Sequence, residues 1–369
     1  MLYIIYLRYI RISIELGEEI AMCEIGIVTL WGNNNYGNRL QNYAVERIVE
    51  DAGLRPRTIL PRQLRSCFNA SWLSRTKSHL LELINNRNMV ARRANFDRFN
   101  RNYLHTLDFK DQGRCVGLIC GSDQIWNYTF PEFSEDMFLG FADGRPTISL
   151  SASFGVSEIP DSMTRFYRDQ LRSIGRISVR EERGAELVRE LAGREAEVLV
   201  DPTMGVSLTE WEEVLPSIQK PAEDYAFTYF LGKKPANLES RIQSELGCSN
   251  SVSFNDLTFP EYYDKDPLEF VAYLAGASSV VTDSFHGAVF SILFGKPLIL
   301  LDRQSTEQSM TSRLDTLASK FNVVKSSLDC DWSDAISRNA STYASIGKVL
   351  NEERLRIRGF LNDSLQSIA

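Results

Sequence analysis

The chain has 369 residues, 43% hydrophobic and 24% charged, with a net charge of -7 at neutral pH. That length exceeds one ordinary core, so two domains of a globular protein are expected, and the negative balance argues against a nucleic-acid partner. Six cysteines, at 23, 67, 115, 120, 248 and 330, have neither zinc nor redox spacing and suit a reducing cytoplasm, and no apolar run is long enough to span a bilayer.

Residues 1–22 are apolar with interspersed arginines and then acidic, without a secretory cleavage site. They are read as an N-terminal extension outside the fold, with Met22 as the native start. A short helix on a membrane surface is the alternative.

Cys23 to Leu30 reads as a buried first strand, followed by the loop Trp31 to Asn38, rich in glycine and asparagine. Leu40, Tyr43, Ala44, Ile48 and Val49 have helical spacing, so a helix runs to about Ala52 and stops at Gly53. The loop lacks a dinucleotide fingerprint and a P-loop lysine, yet it is longer than a plain connection needs, which favours a ligand loop. A second strand covers Pro56 to Leu60. Residues 71–109 read as a basic helical region, with Arg92, Arg93, Arg98 and Arg101 on a solvated face. Contact with an anionic membrane surface or a lipid-linked phosphate is the functional alternative.

Val116 to Cys120 is another buried strand and opens into the polar loop Gly121 to Asn127. Strands at Thr147–Ser153, Ile177–Val179 and Val198–Val200 follow, with a helix after Arg180-Glu181 reaching about Leu191. This alternation implies a parallel sheet covered on both faces. Residues 207–223 read as a linker with a short helix. A second alternation occupies 224–331: strands at Tyr225–Phe230 and Val252–Phe254, helices near Leu238–Leu246 and Pro267–Ala275, then strand Ser279–Thr282, helix Phe285–Phe294 and strand Pro297–Leu301. Residues 332–369 are mainly helical and are expected to pack back toward the first domain, 23–206.

The stretch Val280 to Phe290 is the focus of the chain. Asp283 and Ser284, both good N-cap types, lie between a strand and a helix, at the edge where open α/β sheets bind anions. His286 stands in that helix's first turn and is one of three histidines. From position alone, a histidine that merely caps or packs remains an equal alternative.

Several motifs recur in one order: Gly32–Asn38 with Arg39-Leu40-Gln41-Asn42-Tyr43, Gly121-Ser122-Asp123-Gln124-Ile125-Trp126-Asn127, Ser149 to Gly155, Ile177 to Glu181, Asp201-Pro202-Thr203, and Asp283 to Gly287. Together they resemble the polysaccharide pyruvyl transferase family over nearly everything after Met22. The resemblance implies two Rossmann-like domains in a GT-B-like arrangement with an interdomain cleft. It also implies transfer of a pyruvyl group from phosphoenolpyruvate to sugar hydroxyls, as a ketal on a cell-surface polysaccharide. Members similar to this one often carry an arginine two residues before the histidine, where this chain has Ser284. Arg303, Lys296 or Arg39 are then the cations expected to supply the missing charge.

On this reading His286 and Asp123 are catalytic. Arg180 matches the family's other ligand-binding arginine, and its fork suits a carboxylate or phosphate. His286 suits proton donation or phosphate binding, and Asp123 and Glu181 the grip on a sugar hydroxyl. For the two acids, capping and charge pairing is the alternative. Ser284, Asn35, Tyr36, Asn38, Arg39, Gln124, Trp126 and Arg303 complete the expected substrate-binding set, and Asp201 and Asp283 are read as structural caps. No metal ligand set and no cofactor beyond the donor substrate are expected, and the acceptor would be a sugar or a lipid-linked oligosaccharide. A glycosyltransferase using a nucleotide sugar and a non-catalytic glycan-binding protein are the competing functions.

Overall fold

The computed structural model describes residues 23–32, 35–62, 87–303, 311–327 and 330–366. The N-terminal extension, Asn33, Asn34 and residues 71–86 of the basic region lie outside the described residues.

Two separate parallel sheets form the architecture. The first contains β1 (Glu24–Val28), β2 (Arg55–Ile59), β3 (Thr106–Leu107), β4 (Gly117–Cys120), β5 (Thr147–Ala152), β6 (Arg176–Val179) and β7 (Glu197–Val198), in spatial order β3-β2-β1-β4-β5-β6-β7. Between these strands run α1 (Tyr36–Asp51), α2 (Arg87–Tyr103), α3 (Asp161–Ser173) and α4 (Glu182–Ala192). After α5 (Leu208–Val214) the second sheet is built from β8 (Tyr225–Tyr229), β9 (Asn250–Phe254), β10 (Ser279–Thr282), β11 (Leu298–Leu301) and β12 (Lys325–Ser326), in order β12-β11-β10-β8-β9. Its helices are α6 (Leu238–Leu246), α7 (Pro260–Tyr263), α8 (Pro267–Gly276), α9 (Phe285–Leu293) and α10 (Thr311–Phe321), and α11 (Trp332–Gln366) closes the chain. The strand order reverses between β1 and β4 and again between β8 and β10. Both halves are therefore Rossmann-like, each with a switch point at its carboxyl edge.

Residue alternation along the strands sorts the first core into two faces. Ile25, Ile27, Ile119, Ile148 and Leu150 pack under α1 and against Ile357, Phe360 and Leu361 of α11, which crosses back from the second half. Leu118, Cys120, Ala152 and Val179 face α3 and α4 through Tyr167, Leu171 and Val188.

The two halves are joined by an aromatic cluster. Tyr36 of α1 stacks on Phe270 of α8, with centroids 4.6 Å apart, and its hydroxyl donates to the Lys265 carbonyl at 3.1 Å. Arg92 of α2 lies 4.5 Å from the Tyr36 ring and donates to the Tyr263 carbonyl. Arg98 pairs with Asp266 at 3.2 Å. The basic helix face expected in solvent therefore contributes two of its arginines to the contact between halves, and Arg92 is buried. The segment read as a linker also has a packing role. Its α5 starts with a Ser207–Glu210 capping box, and Trp211 packs between Tyr43 and Phe290 at 5.5 and 5.2 Å.

Differences from the expected elements are local. α3 has only Tyr167 and Leu171 buried, a stripe too sparse to show as periodicity. β3 and β12 have two residues each, below any pattern signal. β7 is shorter than expected because the chain leaves the sheet toward Pro202. No helix among the described residues is long and apolar enough to cross a membrane.

Candidate active site

Buried charges from both carboxyl edges meet where the halves touch. β4 runs into Ser122 and Asp123, β6 into Arg180 and Glu181, and β7 leads to Asp201. From the second half come His286, in the first turn of α9, and Arg313 on α10. None of the six charged or titratable groups is more than 7% exposed, so they act on one another with little water between them.

Asp201 stands at the centre. Its Oδ2 is 3.0 Å from Arg180 Nη2 and 3.4 Å from His286 Nε2. Its other oxygen accepts from the Thr203 amide at 3.0 Å and hydroxyl at 2.7 Å, capping the turn that begins at Pro202. The cap expected from the sequence is present, and the second oxygen adds an ion pair to Arg180 and a contact to His286 that spans the two halves. Asp123 Oδ1 lies 3.7 Å from Arg180 and 3.9 Å from Arg313. Both guanidiniums lie over one ring, 4.8 and 5.6 Å from the centroid of Phe285.

Local backbone aims these groups. Asp123 is left-handed, with φ 68°, a conformation that Asp tolerates better than most residues. Its carbonyl accepts from the Ser153 amide at 2.9 Å, which ties the loop to the end of β5. Gly155, at φ 64°, lies so close to Gln124 that a Cβ there would stand 2.1 Å from Gln124 Oε1.

Burial alone would raise both aspartates. Arg180 and His286 outweigh it, joined by Arg313 at Asp123 and Thr203 at Asp201, and both carboxyls are held below the usual range. At Glu181 burial wins over Arg313, Arg180 and the bonds from Ser153 and Phe154, and its carboxyl is raised. Burial, then the neighbouring Arg180, lowers Arg313 to about 10, which leaves it cationic at neutral pH.

The cluster is not internally satisfied. Among the described residues, Nε and Nη1 of Arg180, Nε of Arg313 and Nε2 of His286 lack partners in hydrogen-bond geometry, as do Oε2 of Glu181 and Oδ2 of Asp201, whose contacts to Arg180 and His286 are close but not aligned as hydrogen bonds. A buried polar group without a partner costs about 1–3 kcal/mol. An anion with several oxygens would satisfy the donors together.

The structure brings His286, Asp123, Arg180 and Glu181 together. Glu181 does not cap α4 by its side chain and bonds instead to Ser153 Oγ at 2.9 Å and the Phe154 amide at 3.1 Å. Asn38 reaches the site, with Nδ2 3.3 Å from Asp123 Oδ2, and Arg39 stands behind it with Nε 3.0 Å from Asn38 Oδ1. Burial pulls Arg39 down to about 9, against Asp123 and Glu46. Asn35 is the exposed N-cap of α1, and Gln124 Oε1 accepts from Asn127.

Tyr36 and Trp126 are not brought to the site, a correction to the sequence reading. Tyr36 is fully buried in the aromatic cluster, and Trp126 stacks on Phe138 at 5.3 Å and donates to the Met137 carbonyl. In the sequence, large rings beside a ligand loop look like loop residues, whereas the core claims them. Ser284 caps α9, its Oγ accepting from the Gly287 amide at 3.4 Å. Arg303 lies 3.8 Å from Asp283. Lys296 precedes β11 and so stands at the amino edge of the parallel sheet, opposite the site.

Arg313 was not anticipated. The spacing of Leu314, Leu317, Ala318 and Phe321 behind it, all buried, could have revealed α10 and placed an arginine at its start. At this point of the expected interdomain cleft the two halves touch, α1 against α9.

A sequence model of the family described as polysaccharide pyruvyl transferase matches residues 35–305, well over half of the chain. No curated protein matches the sequence. Similar solved structures include HepE of Anabaena in complex with UDP and glucose, at 10% identity and TM-score 0.45 over 94% of this chain and 100% of that one. UDP-GlcNAc 2-epimerase from Neisseria meningitidis bound to UDP-GlcNAc has 10% identity and TM-score 0.47 over the same shares. The glycosyltransferase SnogD from Streptomyces nogalater has 14% identity and TM-score 0.43 over 94% of this chain and 99% of that one. On the family match, this chain belongs to the polysaccharide pyruvyl transferase family.

Proposed function

We propose that the enzyme transfers the pyruvyl group of phosphoenolpyruvate to two hydroxyls of a sugar, as a ketal, in the synthesis of a cell-surface or capsular polysaccharide. The observation that carries this reading is the pair of buried guanidiniums, Arg180 and Arg313, beside the His286–Asp201 pair, with donor groups left without partners. Two cations and an imidazole suit a small dianionic donor with a carboxylate and a phosphate.

In this scheme Arg180 and Arg313 hold the donor's oxygens. His286 gives a proton to the methylene carbon, and the Asp201 carboxylate 3.4 Å away holds the imidazole in place. The central carbon, now electron-poor, accepts one sugar hydroxyl. Phosphate then leaves and a second hydroxyl closes the ketal. Of the two hydroxyl protons, one replaces that given by His286 and the other leaves with phosphate. Asp123, kept ionised by its arginines, accepts a hydrogen bond from the second hydroxyl and passes that proton on to the departing phosphate. Arg313 provides the second cation in a chain where Ser284 only caps a helix.

The scheme uses no metal or further cofactor, so a chelator is expected to leave turnover unchanged. It places the enzyme in the cytoplasm, where the donor is made, with a sugar or lipid-linked oligosaccharide as acceptor and peripheral contact with the inner face of the membrane. Mass spectrometry of candidate acceptors incubated with enzyme and phosphoenolpyruvate tests it. A ketal adduct with release of phosphate is expected. A hexose adduct from a nucleotide sugar would replace the reading with glycosyl transfer, and tight glycan binding without turnover would make the protein a binding module.

A further inference from the structure

A cavity of about 290 Å³ opens beside the first switch point, at the carboxyl ends of β1 and β2, and the sequence reading did not single it out. Trp31, Phe109 and Phe141 supply aromatic surface, and Glu132, Asp136 and Arg62 supply charge. Arg62 lies 4.1 Å from the Phe109 ring and pairs with Asp136 at 2.8 Å, which fixes one wall. Phe109 and Phe141 meet edge to face at 4.8 Å.

This combination has one natural ligand class. A sugar ring has an apolar C–H face and a rim of hydroxyls. Aromatic faces cover the first, and carboxylates accept hydrogen bonds from the second. The volume lies near the lower end of the range for ligand cavities, about 300–1,000 Å³, which suits one sugar residue.

The cavity is coupled to the charged cluster without being part of it. The Trp31 ring lies 4.4 Å beneath the Arg39 guanidinium, Arg39 donates to Asn38, and Asn38 donates to Asp123. Thr29, on the cavity wall, donates to the Ser122 carbonyl at 3.3 Å, next to Asp123. Two side chains, Arg39 and Asn38, therefore stand between the Trp31 wall of the cavity and Asp123.

We propose that this cavity is an acceptor subsite, holding a sugar residue next to the one whose hydroxyls react. The proposal rests on the transferase reading for its direction. It makes the enzyme selective for an acceptor of at least two sugar units, because a sugar seated in the cavity lies behind Arg39 and Asn38 and cannot itself present a hydroxyl to Asp123.

Saturation-transfer NMR on the full chain, using the methyl glycosides of glucose, galactose and mannose and N-acetylglucosamine, reads the cavity directly. At least one probe should bind, and Glu132→Gln and Phe141→Leu should each weaken it about tenfold, the loss of one hydrogen bond to a charge or of one ring face. Both variants should keep the wild-type melting temperature within a few degrees. With an acceptor that turns over, both should raise the acceptor KM and leave the phosphoenolpyruvate KM unchanged. Binding of none of the probes, or binding that both variants leave intact, overturns the subsite. Turnover with an unchanged acceptor KM overturns it too while the transferase reading stands. Probe binding that the variants abolish, in a protein inert toward phosphoenolpyruvate, sinks the transferase reading and keeps the sugar site.

Discussion

A Cβ atom added to Gly37 would stand 1.9 Å from Nδ1 of His286. The first turn of α1 and the first turn of α9 thus touch backbone to ring, and only glycine permits that approach. In an ordinary helix, Gly→Ala is stabilising by up to about 1 kcal/mol. Here the sign should invert. Gly37→Ala is expected to cost about 1–3 kcal/mol through the forced shift, and to lower turnover by displacing the imidazole. Thermal unfolding and steady-state rates on one preparation would check both. A raised melting temperature with full activity would show that the two turns do not meet in solution.

His286→Asn separates chemistry from packing. The variant should keep the fold and lose about two to four orders of magnitude in turnover, the usual size of a lost acid–base group. A destabilised protein with a normal rate per folded molecule would instead make His286 a packing residue, and Arg180 would be the next candidate.

Arg313→Lys keeps a charge and loses the planar fork. Its effect should fall on the donor, raising the phosphoenolpyruvate KM by roughly 10–100-fold for one or two lost charge-assisted bonds. The acceptor KM should stay near wild type. An unchanged donor KM would remove Arg313 from the binding site.

The fold and the site were legible in the sequence to different degrees. Strands such as Ser279–Thr282 and the helix Leu238–Leu246 stood out because buried parallel strands and capped helices leave strong local patterns. His286, Asp123 and Arg180 stood out because strand ends at a sheet's carboxyl edge are the ordinary place for ligand groups. The rest depends on contacts between distant segments. Asp201 was visible as a cap, but its second oxygen finds its partners 21 positions back and 85 positions on, at Arg180 and His286. Tyr36 sits in a loop-like motif, yet the ring that receives it belongs to Phe270 in the other half. Arg313 stands in the first turn of a helix preceded by a run of serines, threonines and glutamine that offers several competing cap positions, so the sequence does not fix where the helix starts.

His105 offers a pH test away from the site. Its Nδ1 is 2.9 Å from the buried Glu46 carboxylate and 3.7 Å from Glu50, with Arg57 opposing. The bond to Glu46 raises its pKa above the ordinary value. Protonated His105 therefore stabilises the fold below its unfolded pKa of about 6.5, and that contribution is lost as pH rises through the raised folded value. The side chain is half exposed, so the effect should stay below about 1 kcal/mol. The melting-temperature gap between wild type and His105→Gln should narrow from pH 6 to pH 9. A gap independent of pH would mean that the pair does not form.

Asp283 gives one oxygen to the Leu231 amide and the other to the Gly232 amide, both at 2.7 Å. Those amides follow β8, beside β10, at the second sheet's own strand-order reversal. In open α/β folds this is the standard place to grip a phosphate of a nucleotide. The protein has filled that cradle with its own carboxylate, a built-in mimic of the ligand. A nucleotide diphosphate arriving there would have to evict an anion that is covalently part of the chain. The second half thus has a Rossmann-like sheet edge at which these two amides are already occupied from within the chain.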